Sequence, residues 1–277
     1  ARKGPLNGER LARLEDSLGM TPCPQSGIRH RPGRAPTMES PMVRTGLDRL
    51  LTEAALLEPL RGQRLGWLVH AASVDAHGEH ALRRAATVGL RRDAVFGPEH
   101  GLWGAAQDMI GVARQRDPIF GLEVESLYAE CFEDLYPRHE QLAGLDAVII
   151  DLQDVGSRYY TYVYSAAMMA QRCAEMGIEA IVLDRPNPLG GLVVEGNVVD
   201  PTFRSFVGFY PLATRHAMTI AEIVCFGAEL EGWRRPRVVP MTGWKRDLDF
   251  ADTKLPWVMP SPNMPTPDTA RVYPGGC

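Results

Sequence analysis

The sequence predicts an α/β fold built around a parallel sheet, and three features support this prediction. Between residues 46 and 240, short apolar runs typical of strands alternate with segments of helical spacing. The predicted strands recur at intervals of roughly 30 residues, the length of a βαβ unit. Three of the runs end abruptly in acidic residues, as strands do when their carboxyl ends form a ligand site. Together these features predict a Rossmann-like parallel sheet flanked by helices.

The first elements follow from the spacing of apolar residues. Residues 46–60 carry leucine and alanine at helical spacing, which predicts a helix. The continuous apolar run at 64–70 predicts a strand, because it is too short for a buried helix. Helical spacing returns at 80–90, and residues 93–97 predict the second strand.

The later elements repeat this alternation. The pattern predicts a short strand at 124–128, a helix at 132–142, a strand at 147–151, a helix at 160–176, a strand at 179–184, a helix at 219–231 and a last strand at 237–241. Thr219 and Glu222 have capping-box spacing and mark the start of the last helix. The chain has no internal repeat and no GxGxxG motif, so nothing supports a dinucleotide site.

The two ends differ in composition from the middle. Residues 1–41 are rich in proline, glycine and arginine, which predicts a disordered N-terminal extension. Residues 42–235 are expected to form the Rossmann-like catalytic domain. Residues 236–277 are proline-dense and stop without a closing element, so we expect the truncated start of a smaller C-terminal domain.

Composition excludes several classes of protein. The 277 residues carry a net charge of −4 and no basic stripe, which gives no support for nucleic-acid binding. No apolar stretch is long enough to span a bilayer. The five cysteines are scattered and lack CxxC spacing, so we expect neither a disulfide framework nor a zinc site. No signal peptide is visible, which predicts the cytoplasm by default and leaves a periplasmic or secreted location open.

The motif GPEHG (97–101) places Glu99 and His100 directly after a predicted strand, between glycines that let a ligand approach closely. A glutamate held at a partly desolvated strand end is suited to general acid catalysis. The alternative is a strand-to-loop turn in which the acid bonds nearby backbone.

The segment DLQDVGSRYY (151–160) offers Asp151, Asp154, Arg158, Tyr159 and Tyr160. Its carboxylates are suited to binding sugar hydroxyls, orienting a water or holding a cation. Tyr159 or Tyr160 is suited to stacking on a sugar face, although packing is the favoured role of Tyr160. The structural alternatives are that Asp154 caps the following helix and that Arg158 neutralises Asp151.

Two further loops carry polar groups. After the strand at 179–184, Asp184, Arg185 and Asn187 lie in a proline-stiffened loop and are candidates for ligand binding. The alternative there is a stiff turn with an internal Asp–Arg pair. Arg215 and His216 precede the last helix, where an anionic ligand is favoured, although His216 is equally suited to a core position.

With these motifs in hand, the chain resembles the NamZ-type exo-β-N-acetylmuramidases, also called YbbC-like proteins (glycoside hydrolase family 171). The resemblance covers about residues 46–276. It is carried by long motifs in the same order: FGPEHGLWG (96–104), GLEVESLY (121–128), DLQDVGSRYYTYVY (151–164), LDRPNPLGG (183–191), VEGNVVD (194–200), SFVGFYPLATRHAMTIAEI (205–223) and WVMPSPNMPT (257–266). The chain departs from the family at HAASVD (70–75) and at Ala217, where glycine is common.

The resemblance implies a Rossmann-like domain followed by a smaller domain, and release of N-acetylmuramic acid from the non-reducing ends of peptidoglycan fragments during cell-wall turnover. The family's proposed catalytic glutamate falls on Glu99. Muramic acid carries a lactyl carboxylate, so its pocket needs a cation, for which the candidates are Arg158, Arg185 and Arg215. Glycoside cleavage also needs a second group, for which Asp151, Asp154 and His100 are candidates.

We expect no cofactor and no metal, and the oligomeric state stays open. Two rival functions remain at this point. One is a metal-assisted hydrolase using Asp151, Asp154 and Asp184, whose weakness is the lack of histidine or cysteine at metal-ligand spacing. The other is a protein that binds cell-wall sugars without cleaving them.

Overall fold

The computed structural model describes residues 43–99, 101–103, 115–127 and 135–276. Its centre is a seven-stranded sheet, and a separate two-stranded ribbon lies outside it. The strands are β1 (Leu65–Val69), β2 (Ala94–Gly97), β3 (Gln115–Arg116), β4 (Glu123–Ser126), β5 (Ala147–Asp151), β6 (Glu179–Leu183), β7 (Glu195–Val198), β8 (Ala213–Arg215) and β9 (Arg237–Val239). The ribbon is the antiparallel pair of β7 and β8.

The order of the strands is β3-β4-β2-β1-β5-β6-β9, and all neighbours are parallel except β3 and β4. The chain starts at β1, moves outward through β2 and β4, and then returns to place β5 on the other side of β1. The six parallel strands therefore have the doubly wound order 3-2-1-4-5-6. The predicted α/β class with a Rossmann-like sheet is confirmed.

Helices cover both faces of this sheet. They are α1 (Gly46–Thr52), α2 (Ala54–Leu57), α3 (Ala81–Thr87), α4 (His139–Leu142), α5 (Tyr162–Met176), α6 (Ile220–Glu231), α7 (Phe250–Thr253) and α8 (Pro267–Val272). The first three pack with alternate residues of β1, β5 and β6 into one apolar core. Successive strand residues point to opposite faces, and α5 contacts β5 and β6 without belonging to that core, so it covers the other face.

Capping residues fix the ends of these helices. Thr45 caps α1 in a capping box with Asp48. Thr219 and Glu222 form the predicted capping box of α6. Helix α5 ends at Gly177, whose φ of 73° lies in the left-handed region that glycine adopts at low cost.

Three expectations about elements need correction. The helix predicted at 132–142 is confined to α4 among the described residues, because Pro137 has no N–H and disfavours a helical residue before it. The last predicted strand ends at Val239 instead of residue 241. The β7–β8 ribbon was not predicted at all.

The domain boundaries stay predictions. Residues 1–41 lie outside the described part of the chain. Strand β9 follows the expected boundary at residue 236, and it completes the parallel sheet by pairing with β6. None of the described helices is both long and apolar enough to cross a membrane.

Gly46 allows α1 to lie directly against the sheet. Its N–H donates to the Asp184 carbonyl at 2.8 Å. A Cβ added there would lie 2.5 Å from both the Asp184 nitrogen and the Val239 oxygen, which are backbone atoms. We therefore expect Gly46→Ala to lower the free energy of unfolding by about 1–3 kcal/mol, measured by urea denaturation.

Gly275→Ala is the matched control for this prediction. A Cβ at Gly275 meets nothing within 4 Å, so its effect is expected to stay within about 0.5 kcal/mol. Equal stabilities for the two variants would contradict the close packing of α1.

Candidate active site

The carboxyl ends of the parallel strands bring three of the singled-out segments, those after β2, β5 and β6, to one edge of the sheet. Residues Val69 of β1 and Asp151 of β5 are paired in the sheet register. The chain reverses its direction of winding between these two strands, which makes this edge the topological switch point where doubly wound sheets bind ligands. Glu99 follows β2 on one side, and Asp184 follows β6 on the other.

Glu99 is half-buried, and its carboxylate is held from the neighbouring loop. The Thr161 hydroxyl donates to Glu99 Oε2 at 2.5 Å. Thr161 is the residue before α5, so this bond joins the end of β2 to the turn that follows β5. His100, the other predicted residue of this motif, lies outside the described residues.

Asp151 forms a buried ion pair with Arg185. The guanidinium donates to both carboxylate oxygens, Nε to Oδ1 at 2.6 Å and Nη2 to Oδ2 at 2.8 Å. The Asp151 side chain is fully buried, and Arg185 is 5% exposed. Burial raises the pKa of the Asp151 carboxyl, and the adjacent guanidinium opposes that rise. The alternative that Arg158 neutralises Asp151 is wrong, because Arg185 does so.

The ion pair ties three strand ends together. Arg185 Nη2 also donates to the Val74 carbonyl at 2.9 Å, in the loop after β1. The Ser73 hydroxyl of the same loop donates to the Asp151 carbonyl. Both partners are therefore committed to internal bonds, and their predicted catalytic and substrate-binding roles stay predictions.

Asp154 and His216 form a second buried pair. Asp154 Oδ2 accepts from the Gly156 N–H at 2.9 Å and lies 3.3 Å from His216 Nε2. His216 Nδ1 accepts from the Met218 N–H at 3.2 Å, and its Nε2 makes no hydrogen bond to any described residue. The alternative that Asp154 caps the next helix is wrong, because α5 begins after Thr161.

One oxygen of this pair has no partner. Asp154 Oδ1 is buried without a hydrogen bond to any described residue. The backbone next to His216 is also strained: Ala217 has a φ of 55°, a region that costs an L-residue roughly 1–2 kcal/mol. An unpaired buried oxygen beside a strained loop is typical of a functional site.

Asp184 and Asn187 connect the end of β6 to the start of α6. Asp184 Oδ1 accepts from the Ala221 N–H at 3.2 Å, and burial raises the pKa of this carboxyl to about 7. Asn187 accepts from the Leu189 N–H and donates to the Met218 carbonyl, both at 2.9 Å. The predicted internal pair of Asp184 with its neighbour is absent here, since Arg185 points to Asp151 instead.

The remaining predicted residues lie around the turn between β5 and α5. Arg158 donates to the carbonyls of Asn197 and Leu212. Arg215 pairs with Glu195 at 2.8 Å and donates to the Leu189 carbonyl. Other contacts of the turn involve its tyrosines: the Tyr159 hydroxyl donates to the Tyr273 carbonyl, and the buried Tyr160 ring packs against the ring of Tyr162.

Like Thr161, His70 was not among the candidate residues that the sequence offered. It follows β1 at the switch point and is 1% exposed. Its Nε2 accepts from the Gln153 N–H at 2.9 Å, so its Nδ1 carries the proton and donates to the Pro260 carbonyl at 3.2 Å. The Tyr162 hydroxyl donates to the same carbonyl at 2.9 Å. Only the apolar run before His70 pointed to this position, and it gave no sign of the partner 190 residues away.

A hollow lies beside Gln153, the residue whose N–H donates to His70. Gln153 and Arg185 line one wall, and Phe250 and Trp257 come from the segment that leads to Pro260. Within the described residues, no group of three or more histidine, cysteine, aspartate or glutamate side chains is arranged to hold a metal ion.

The strand order and the acidic switch point define a doubly wound α/β domain with a candidate active site at its carboxyl edge. The chain belongs to the family described as exo-beta-N-acetylmuramidase NamZ, N-terminal, which matches residues 65–268. Over 244 residues it is 40% identical to the peptidoglycan beta-N-acetylmuramidase NamZ of Bacillus subtilis (strain 168). That alignment covers 86% of this chain and 57% of the relative.

Two crystal structures of DUF1343 family proteins from Bacteroides fragilis NCTC 9343 share the fold. The TM-scores are 0.74 and 0.67, at 33% and 28% sequence identity. Each comparison covers 84% of this chain, and 58% and 60% of the respective relatives. The chain therefore spans less than two thirds of the length of these relatives.

Two buried histidines, His70 and His80, predict how the stability of the fold depends on pH. Burial lowers the pKa of His70 to about 3 and that of His80 to about 4. His80 caps α3 by accepting from the Leu82 N–H, and its Nε2 bonds the His70 carbonyl at 3.0 Å. Each ring takes up a proton in the unfolded chain below a pH of about 6.5, so the stability it contributes is lost as the pH falls from there toward 4.

We expect His80→Asn to remove one of the two rings that take up a proton on unfolding, while keeping a side chain that can cap the helix. Its free energy of unfolding should fall less steeply than that of the wild type between pH 6 and pH 4.5, by about 1.4 kcal/mol per pH unit. Urea denaturation at a series of pH values measures both slopes. Asp184 has the opposite sign, since its raised pKa removes stability as the pH rises toward 7, and it cancels in the comparison. Equal slopes would contradict a neutral His80.

Proposed function

We propose that this protein is an exo-β-N-acetylmuramidase, a glycosidase that releases N-acetylmuramic acid from the non-reducing ends of peptidoglycan fragments during cell-wall turnover. Membership of the NamZ family and the name of the Bacillus subtilis relative support this proposal. The observation that carries it is the position of Glu99. This carboxylate stands after β2, next to the switch point, and a hydroxyl from the neighbouring loop holds it.

In the proposed reaction Glu99 is the general acid. It donates a proton to the oxygen of the glycosidic bond as that bond breaks, and the sugar ring takes on positive charge. The Thr161 hydroxyl restricts rotation of the Glu99 carboxyl by donating to Oε2. Because Thr161 precedes the first turn of α5, the acid is oriented by a residue on a rigid element.

We assign the second role in the reaction to Asp154. Glycoside cleavage needs a carboxylate that attacks the sugar, activates a water or stabilises the positive ring. Arg185 engages both oxygens of Asp151, whereas Asp154 keeps Oδ1 without a partner among the described residues. The Gly156 N–H donates to the other oxygen of Asp154, Oδ2, which also lies 3.3 Å from His216 Nε2.

The two rival functions make different predictions. A metal-assisted hydrolase would use Asp151, Asp154 and Asp184, but in this structure these side chains bond Arg185, the Gly156 N–H and the start of α6 respectively. Activity that survives thorough chelation would remove this rival. A sugar-binding protein without activity would show muramide binding by calorimetry and no turnover.

Glu99→Gln tests the proposed acid. The amide keeps the size of the side chain and an oxygen that accepts from Thr161, but it has no proton to donate. We expect the release of muramic acid from a chromogenic muramide to fall by 100-fold or more, as is typical for the loss of a general acid. Glu140→Gln makes the same chemical change on the exposed surface of α4 and should keep full activity. Undiminished turnover by Glu99→Gln would remove Glu99 from this role.

Asp154→Asn tests the second carboxylate. We expect kcat to fall by about 100-fold or more with little change in KM, because the missing charge acts on the transition state. Asp146→Asn, at the amino end of the same strand, is the control, and melting temperatures separate a loss of folding from a loss of chemistry. Normal kcat in a folded Asp154→Asn protein would exclude the assignment.

A further inference from the structure

We infer that Arg158 binds the lactyl carboxylate of the muramic acid residue and so makes the site specific for muramic acid over glucosamine. This inference rests on the proposed function, because it names the group that recognises the substrate. N-acetylmuramic acid and N-acetylglucosamine differ in the lactyl ether at one ring position. A site that selects between them therefore needs a cation that binds the additional carboxylate.

The three candidate arginines differ in how their charge is balanced. Arg185 is neutralised by the buried carboxylate of Asp151 through two hydrogen bonds. Arg215 is paired with Glu195 at 2.8 Å. Arg158 has no carboxylate partner among the residues that the structure describes: it bonds two backbone carbonyls and one amide oxygen. Of the three candidates, it is the one whose positive charge is left for an anion.

The guanidinium of Arg158 presents one edge to a ligand. Its Nη1 donates to the carbonyls of Leu212, at 3.0 Å, and Asn197, which fixes the plane of the group. Its Nη2 lies 3.5 Å from Asn197 Oδ1, which is a weak contact. Its Nε has no partner in the described part of the chain and is not among the buried atoms, whereas the Nε of Arg215 is buried. The Nε and Nη2 pair is the edge that grips a carboxylate with two parallel bonds.

Arg158 belongs to the same turn as the residue that holds Glu99. Arg158 precedes Thr161 by three residues, and Thr161 is bonded to Glu99. Three residues of chain span at most about 11 Å, so the backbone of Arg158 lies within that distance of Thr161. The Arg158 N–H donates to the Thr214 carbonyl at 2.9 Å, and the Tyr164 hydroxyl donates to the Arg158 carbonyl at 2.5 Å. Arg158 is therefore held at both its backbone and its side chain before any ligand arrives.

A preorganised cation predicts a particular form of selectivity. An ionic hydrogen bond to the lactyl group forms when the sugar binds and persists in the transition state, so its loss should raise KM more than it lowers kcat. Substrates without the carboxylate never make this bond, so they should not respond to its removal.

The test compares matched substrates in wild-type protein, Arg158→Gln and Arg158→Lys. The substrates are a chromogenic muramide, its lactyl amide, which has no charge, and the corresponding N-acetylglucosaminide. For Arg158→Gln we expect kcat/KM on the muramide to fall by about 10- to 100-fold, mostly through KM, and to stay unchanged on the other two. Arg158→Lys keeps the charge and should recover part of the loss. Arg237→Gln is the control, since Arg237 pairs with Glu179 at the opposite edge of the sheet.

A binding experiment separates this inference from the proposed function. Calorimetry with free N-acetylmuramic acid and N-acetylglucosamine needs no turnover, and melting temperatures establish that each variant is folded. Loss of the muramic acid preference in Arg158→Gln would support the inference even if the protein cleaves nothing. An equal loss for both sugars, an unchanged preference in Arg158→Gln, or no preference in the wild type would overturn it.

Discussion

The buried ion pair between Asp151 and Arg185 is the interaction on which the site depends. Two charges are taken out of water, and each is satisfied by the other through two short hydrogen bonds. Loss of one partner from such a pair typically costs about 3–5 kcal/mol, because a buried charge is then left alone. Since Arg185 also binds the loop after β1, the pair fixes the ends of β1, β5 and β6 in one arrangement.

A neutral histidine, His70, lies near this ion pair and adds no charge to it. His70 lies close enough to Arg185 that the positive guanidinium, together with burial, lowers the pKa of the ring to about 3. A neutral His70 then accepts one hydrogen bond and donates another, which links the β5 loop through Gln153 to the Pro260 segment. The His70 ring therefore adds no second positive charge beside Arg185.

The turn between β5 and α5 gathers the functional groups of the proposed reaction. Within eight residues it carries a carboxylate with an unpaired oxygen (Asp154), a cation without a carboxylate partner (Arg158) and the hydroxyl that holds Glu99 (Thr161). The position of these groups follows from the strand order. At a switch point the loops leave in opposite directions and open a crevice between them. One short segment therefore carries three of the groups used in the proposed reaction.

The sequence by itself determined the fold class and the strand ends that carry the candidate site residues. Apolar runs of strand length that end in acids are a local signal, and they placed Glu99, Asp151 and Asp184 at strand ends as the structure has them. It also marked the start of α6, because a capping box is formed by residues three positions apart.

Only the tertiary structure decided which polar groups pair with one another. Asp151 bonds an arginine 34 residues away, and His70 bonds a carbonyl 190 residues away. Such partners are chosen by the packing of strands and by the cost of leaving a buried charge unpaired, and neither leaves a periodic trace in the sequence. The same reason explains why the sequence offered three arginines as equals, while the structure leaves one of them, Arg158, without a carboxylate partner among the described residues.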